Sequence, residues 1–202
     1  IATARQLAKD LGVELELVQV TSPQRIPALL AGRADVAISS LSITLARAQT
    51  VAFANPHGAL SIVIYGPERT QIRSAADMAG KRIGITRATL EEATVPPIAP
   101  QGTNIVFFDD IAATIQALLS GQVDAAGMSA FAAKSVADRN PRAGLSNKFT
   151  VTTAFYAPAL RPADHELRQV VNTWIMLNKQ NGVLAEIYQR YTGVELVPLP
   201  QI

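Results

Sequence analysis

The feature that most restricts what this chain can fold into is a fifteen-residue motif that occurs twice. Ile26-Pro-Ala-Leu-Leu-Ala-Gly-Arg-Ala-Asp-Val-Ala-Ile-Ser-Ser40 and Ile115-Gln-Ala-Leu-Leu-Ser-Gly-Gln-Val-Asp-Ala-Ala-Gly-Met-Ser129 lie 89 residues apart and agree at eight of fifteen positions. Each copy reads as the end of a helix, a glycine suited to the left-handed cap, and a short apolar strand that stops at serine. Ala, Leu and Gly recur in any α/β unit, so the matched Gly-x-x-Asp and the closing serine are the informative part. A helix–Gly–strand unit used twice predicts two lobes built alike.

The rest of the chain alternates in the same way. Helical spacing is expected over about 2–11, 24–31, 110–120, 129–138, 164–180 and 183–191, with a short helix after Thr44. A capping-box pattern, Thr89-Leu-Glu-Glu92, opens another helix that stops near Pro96-Pro97. Strands are expected at 13–20, 34–38, 59–65, 81–86, 104–108, 123–127 and 150–157. Strand–helix alternation implies an α/β fold with mainly parallel sheets. The repeat units place lobe one at 1–62 plus 162–202 and lobe two at 63–161. Two chain crossings then form a hinge, and ligands of such folds sit outside the carboxyl ends of the strands.

Composition excludes several classes. Hydrophobic residues are 49% and charged residues 17%, a globular rather than a disordered balance. The net charge is only +2 and the basic residues are scattered, so nothing points to nucleic acid. No apolar run approaches the roughly 18–20 residues of a membrane helix. Without cysteine there is no thiol catalysis or cysteine metal site. No metal-ligand spacing, Ser/His/Asp set or phosphate loop occurs, so neither a metal nor a cofactor is expected. His57 and His165 are the only histidines; His57 reads as a solvated loop residue, and Trp174 reads as core.

One stretch concentrates the chemistry. The strand at 34–38 runs into Ser39-Ser40-Leu41-Ser42, then Thr44 as N-cap, then Arg47 at the third helical position. A cation at a helix N-terminus opposes the helix dipole, so its presence there suggests a nearby anion. Hydroxyls, a helix start and arginine together form an anion site.

The chain as a whole resembles the type II periplasmic solute-binding proteins, in the polar amino-acid group (bacterial extracellular solute-binding proteins, family 3). The residues that carry the resemblance are Gly32-Arg-Ala-Asp35, the serine cluster, Thr44-Leu-Ala-Arg47 and Phe53-Ala-Asn-Pro56. In lobe two, Lys81-Arg-Ile-Gly84-Ile-Thr-Arg-Ala-Thr89 is similar to the family's glycine–threonine segment. The resemblance implies a periplasmic binding protein of an ABC importer that is not an enzyme and whose partners are a small anionic or zwitterionic ligand and a membrane permease. It implies that Arg47 grips a carboxylate with Ser42, that Ser40 meets an ammonium group, and that Thr89 donates to the carboxylate; Leu41, Arg87 and Ser129 are counted with the site.

Three departures qualify this. Amino-acid-binding members usually carry an aspartate where this chain has Ser129, and a serine cannot neutralise an ammonium group, which points toward a modified amino acid or an organic acid. The usual glycine before Thr89 is Ala88. The first strand, which normally precedes helix one, is absent; the slot it leaves is filled either by chain beyond the given sequence or by a strand-swapped or dimeric partner. Two other functions share the fold: a dehydratase of cyclic acids, which needs a general acid, and the effector-binding part of a regulator.

Overall fold

The computed structural model describes residues 1–201. The helices are α1 (Ala2–Leu11), α2 (Arg25–Leu30), α3 (Leu45–Ala48), α4 (Leu90–Thr94), α5 (Ile111–Ser120), α6 (Ala130–Arg139), α7 (His165–Gln180) and α8 (Val183–Thr192). The strands are β1 (Ala52–Phe53), β2 (Gly58–Pro67), β3 (Arg82–Thr86), β4 (Asn104–Phe108), β5 (Ala125–Ser129), β6 (Leu145–Tyr156) and β7 (Ala159–Leu160). The chain divides into two compact units: 1–20, 24–59 and 154–202 form unit 1, and 21–23 with 60–153 form unit 2.

Unit 2 holds a sheet in the order β4-β3-β5-β2-β6. β3 runs parallel to both β4 and β5, while β2 runs antiparallel to β5. Its elements start and stop where local chemistry dictates. The Asp110 carboxylate accepts from Ala113 N–H at 2.7 Å to cap α5, and Gly121 ends that helix at φ 77°. The second copy of the repeat then enters the sheet as β5, fully buried from Ala125 to Met128. Val63, Tyr65, Ala117, Leu118, Val123 and Met128 form the core on that side.

Unit 1 packs α1, α7 and α8 around Leu7, Ala54, Leu160, Val171, Ile175 and Leu184. Trp174 belongs to this core, and its Nε1–H donates to Asp10 Oδ2 at 2.7 Å. A second cluster gathers Leu29, Leu41, Val51, Phe53, Ala157 and Ala159. The first copy of the repeat buries Ala28 and Leu29 as the second buries Ala117 and Leu118, and Gly32 takes φ 71° as Gly121 takes 77°.

The repeated aspartate has a structural explanation. In unit 2, Arg82 donates to Asp124 from its backbone N–H (2.8 Å), Nη2 (2.8 Å) and Nε (3.2 Å), and also from Nη2 to the Gly121 carbonyl (2.9 Å). In unit 1, Arg161 Nη1 donates to the Ala34 carbonyl at 3.0 Å and Nη2 reaches Asp35 at 3.4 Å. Each Gly-x-x-Asp turn is thus clamped by an arginine, tightly in unit 2 and loosely in unit 1.

Two expected strands are not formed. Residues 14–20 make no backbone–backbone hydrogen bond among the described residues, and Val13 N–H serves only the cap of α1, donating to Ala8. Residues 34–38 form one isolated bridge, in which Ala37 and Ala159 exchange bonds of 2.8 and 3.1 Å. The alternating pattern is there, but a strand exists only as a hydrogen-bonded pair, and among the described residues the Ala37–Ala159 bridge is the one such pairing that these two segments make. The Thr89–Glu92 capping box also fails. Glu92 accepts from Ala88 N–H at 2.6 Å, and the Thr89 hydroxyl donates back to the Thr86 carbonyl at 2.6 Å.

Candidate functional site

In unit 1 the serine cluster is held by the strand that passes beside it. Ser42 bridges Tyr156, Ile43 N–H donates to Phe155 O at 3.0 Å, and Ala157 N–H donates to Leu41 O at 3.3 Å. Leu41 is a core residue, so its side chain anchors the turn and only its backbone lies with the serines. Ser40 is exposed and takes φ 52°, a left-handed conformation that costs a non-glycine residue about 1 kcal/mol. Ser42 is buried at 2% exposure.

α3 follows at once. The Thr44 hydroxyl accepts from Arg47 N–H at 3.2 Å, the expected N-cap. That cap turns the Arg47 side chain back along the chain, and Nη1 donates to the Ser42 carbonyl at 2.9 Å. The guanidinium is half-buried beside the serine turn, where an anion feels it through a lower effective dielectric than bulk water. Ser40, Leu41, Ser42 and Arg47 are therefore brought together.

Ser39 opens the hydroxyl cluster but is not among the residues assigned a ligand contact, and its Oγ is buried with no hydrogen-bond partner. A buried hydroxyl without a partner costs about 1–3 kcal/mol. Its position at the end of the apolar run was the signal available.

Arg87, Thr89 and Ser129 lie in unit 2. Ala88, between the first two, takes φ 56° where glycine would sit without strain. The Arg87 guanidinium lies 4.9 Å from the Phe107 ring centroid and 3.5 Å from Asp109, on an exposed surface. Thr89 precedes α4, but its hydroxyl proton goes to Thr86. Ser129 ends β5 and caps α6, its Oγ accepting from Ala132 N–H at 3.2 Å, which leaves its own proton to donate. Below them Thr86 and Thr114 share a buried hydroxyl–hydroxyl bond of 2.8 Å.

His57 is not the solvated histidine its sequence context suggests. It is 6% exposed, packed edge-on against Tyr156 with ring centroids 4.8 Å apart. Burial pushes its pKa down to about 4, and Nδ1 has no partner. The slot exists because residue 58 is glycine: a Cβ there would fall on the Tyr156 phenol. Burial likewise holds the Tyr156 hydroxyl above its ordinary range. No group of three or more His, Cys, Asp or Glu residues able to hold a metal occurs among the described residues.

The profile of the bacterial extracellular solute-binding proteins, family 3, matches residues 1–194. The chain belongs to this family. Its similarity to the L-cystine-binding protein TcyJ of Escherichia coli (strain K12) is 27% identity over 201 residues, covering 96% of the chain and 73% of that protein. The histidine-binding periplasmic protein of Salmonella typhimurium is 27% identical over 203 residues, covering 95% and 77%. Among solved structures, an ancestral arginine-binding protein bound to glutamine superposes with a TM-score of 0.89 at 30% identity, covering 95% of this chain and 86% of that one. The ancestral amino acid-binding protein AncCDT-1, a precursor of cyclohexadienyl dehydratase, gives 0.82 at 28%, covering 95% and 83%. The fold is that of the type II periplasmic amino-acid-binding proteins. These relatives are binding proteins rather than enzymes, and an extracellular solute-binding family works outside the cytoplasm.

Proposed function

We propose that this family member binds a small carboxylate-bearing solute and delivers it to the membrane permease of an ABC importer. The observation that supports this best is the Arg47 guanidinium, half-buried and steadied by the Ser42 carbonyl at 2.9 Å, next to three serines on one turn. A charge-assisted bond from such a group to a carboxylate contributes roughly 1.5–3 kcal/mol. Ser42 and Ser40 supply neutral contacts, and Thr89 and Ser129 are assigned the second set. At Thr89 the donor is the backbone N–H, since the hydroxyl proton is engaged.

The ligand class follows from Ser129. A hydroxyl that caps α6 donates one hydrogen bond and carries no charge, so an ammonium group gains little from it. A modified amino acid or an organic acid fits better than a standard amino acid. The test is a thermal-shift panel of amino acids, organic acids and opine-like compounds. A carboxylate-bearing compound raises Tm, and Arg47→Ala abolishes the shift; a variant that kept the full shift would show that the anchor lies elsewhere. The similarity to a dehydratase precursor favours one second reading, turnover of a prephenate-type cyclic acid, which product analysis on the same samples separates from binding.

A further inference from the structure

Asparagine is followed by glycine once in this chain, at Asn181-Gly182, in the turn between α7 and α8. Both residues are exposed. α7 is over at Asn181, whose own N–H still donates to the Leu177 carbonyl at 3.0 Å. The next nitrogen is weakly held: Gly182 N–H reaches the Lys179 carbonyl only at 3.4 Å, with φ at 80°. The Asn181 side chain meanwhile serves α8, its Oδ1 accepting from Val183 N–H, the first of that helix, at 3.1 Å. A carbonyl that accepts a hydrogen bond has a more electrophilic carbon. A polarised side-chain amide is thus followed directly by a backbone nitrogen with no side chain to shield it. The other six asparagines lack that combination. Asn55 and Asn140 precede proline, whose nitrogen has no proton to give up. Asn172 and Asn178 lie inside α7, and Asn104 and Asn147 stand in β4 and β6 before Ile105 and Lys148, whose side chains crowd the nitrogen.

We infer that Asn181 is a self-modifying site, which loses its amide to attack by the Gly182 nitrogen and persists as a mixture of aspartate and isoaspartate. The Gly182 nitrogen bonds to Asn181 Cγ, the Cγ–Nδ2 bond breaks, and the amide group leaves as ammonia with the proton that Gly182 gave up. Water then opens the cyclic imide. Cleavage between Cγ and the nitrogen restores the backbone and leaves aspartate; cleavage at the backbone carbonyl leaves the chain running through Cβ and Cγ, which is isoaspartate. Water enters, ammonia leaves, and nothing is oxidised or reduced. In the closed turn Asn181 has ψ at 0°, which directs the nitrogen away from Cγ, so attack waits for the turn to open. Exposure, the freedom of glycine and the 3.4 Å bond make that opening a local event. The two products act oppositely on unit 1. Aspartate keeps the bond to Val183 N–H and adds a negative charge at the start of α8, which the helix dipole favours. Isoaspartate lengthens the link between Trp174 and Ile175 on α7 and Leu184 on α8, which share one core, and moves the carboxylate away from Val183 N–H. None of this depends on which solute the protein binds.

The test incubates the folded 202-residue chain at mildly alkaline pH and follows it by tryptic mass mapping and by enzymatic methyl transfer to isoaspartyl carboxylates. The tryptic peptide 180–190 contains Asn181 and no other asparagine. It passes through a species lighter by ammonia and then gains the mass of an NH2-to-OH exchange, with isoaspartate present, while the other six asparagines keep their amides. The chain unfolded in urea converts faster at the same peptide, as expected if opening of the turn gates the attack. Asn181→Gln, whose attack would need a larger ring, abolishes the isoaspartyl signal. Freshly made Asn181→Asp melts about 1–4 °C above the native chain, and the purified isoaspartyl form about 2–4 °C below it. Conversion at another asparagine as fast as at Asn181, an amide that survives at 180–190 in the folded chain while the unfolded chain loses it, or an isoaspartyl signal undiminished in Asn181→Gln would each overturn the site. An isoaspartyl form that melts with the native chain would overturn its effect on unit 1.

Discussion

The two copies of the repeat share half their residues but not their fate. In unit 2, Ala125–Ser129 is a strand with β3 on one side and β2 on the other. In unit 1, the matched residues 36–40 touch a partner at Ala37 alone. The helix and the glycine before them are the same in both, because burial of Leu29 or Leu118 and a left-handed cap are decided within a dozen residues. Strand formation is not decided there. It depends on what the rest of the chain lays alongside, and the difference between the units isolates that dependence.

The largest effects should follow the pairing. Met128 is fully buried in β5, and Met128→Ala should cost 2–5 kcal/mol in chemical denaturation. Its counterpart Ser39 carries an unsatisfied hydroxyl, so Ser39→Ala should be neutral or stabilise by up to about 1 kcal/mol. Equal losses at the two positions would end the comparison.

Acid should separate the units next. His57 lies in unit 1, and its pKa of about 4 sits below the unfolded value of 6.5. The unfolded chain therefore binds the extra proton first, so stability is lost as pH falls from about 6.5 to 4, by about 3 kcal/mol from this group. Trp174 is the only tryptophan and belongs to unit 1. Its fluorescence should report an acid transition that His57→Phe shifts to lower pH.

Smaller effects test the turns. Asp124→Ala, which undoes a three-bond clamp, should cost about 1 kcal/mol, and Asp35→Ala less than half of that, because Asp35 is 83% exposed and its arginine stands 3.4 Å away. Ala88→Gly should stabilise unit 2 by about 0.5–1 kcal/mol by relieving the positive φ, seen as a rise in Tm.

What could be read from the sequence divides along the same line. Thr44, Asp110 and Ser129 were legible as caps, and Gly121 as a stop, because a cap needs only the next three residues. The Arg47 turn was legible for the same reason. The alternation at 13–20 was also legible, but not its lack of a partner, which is a property of chain far away. His57 was missed because its burial comes from Tyr156, 99 positions on; Gly58 beside it was the one local sign of a closely approaching group. The role of Thr89 changed because its hydroxyl found the Thr86 carbonyl, a contact that requires the turn set by Ala88.

The proposed binding role carries the same contrast: Arg47 in unit 1 is charged, whereas Ser129 in unit 2 is a neutral helix cap. Calorimetric titration of the best-stabilising acid against the native chain, Arg47→Ala and Ser129→Ala tests this most directly. Affinity should fall by a factor of about 10–150 for Arg47→Ala, the equivalent of 1.5–3 kcal/mol, and by less than about fivefold for Ser129→Ala. A larger loss at Ser129, or a decarboxylated analogue that binds as tightly as the acid, would contradict carboxylate recognition by Arg47.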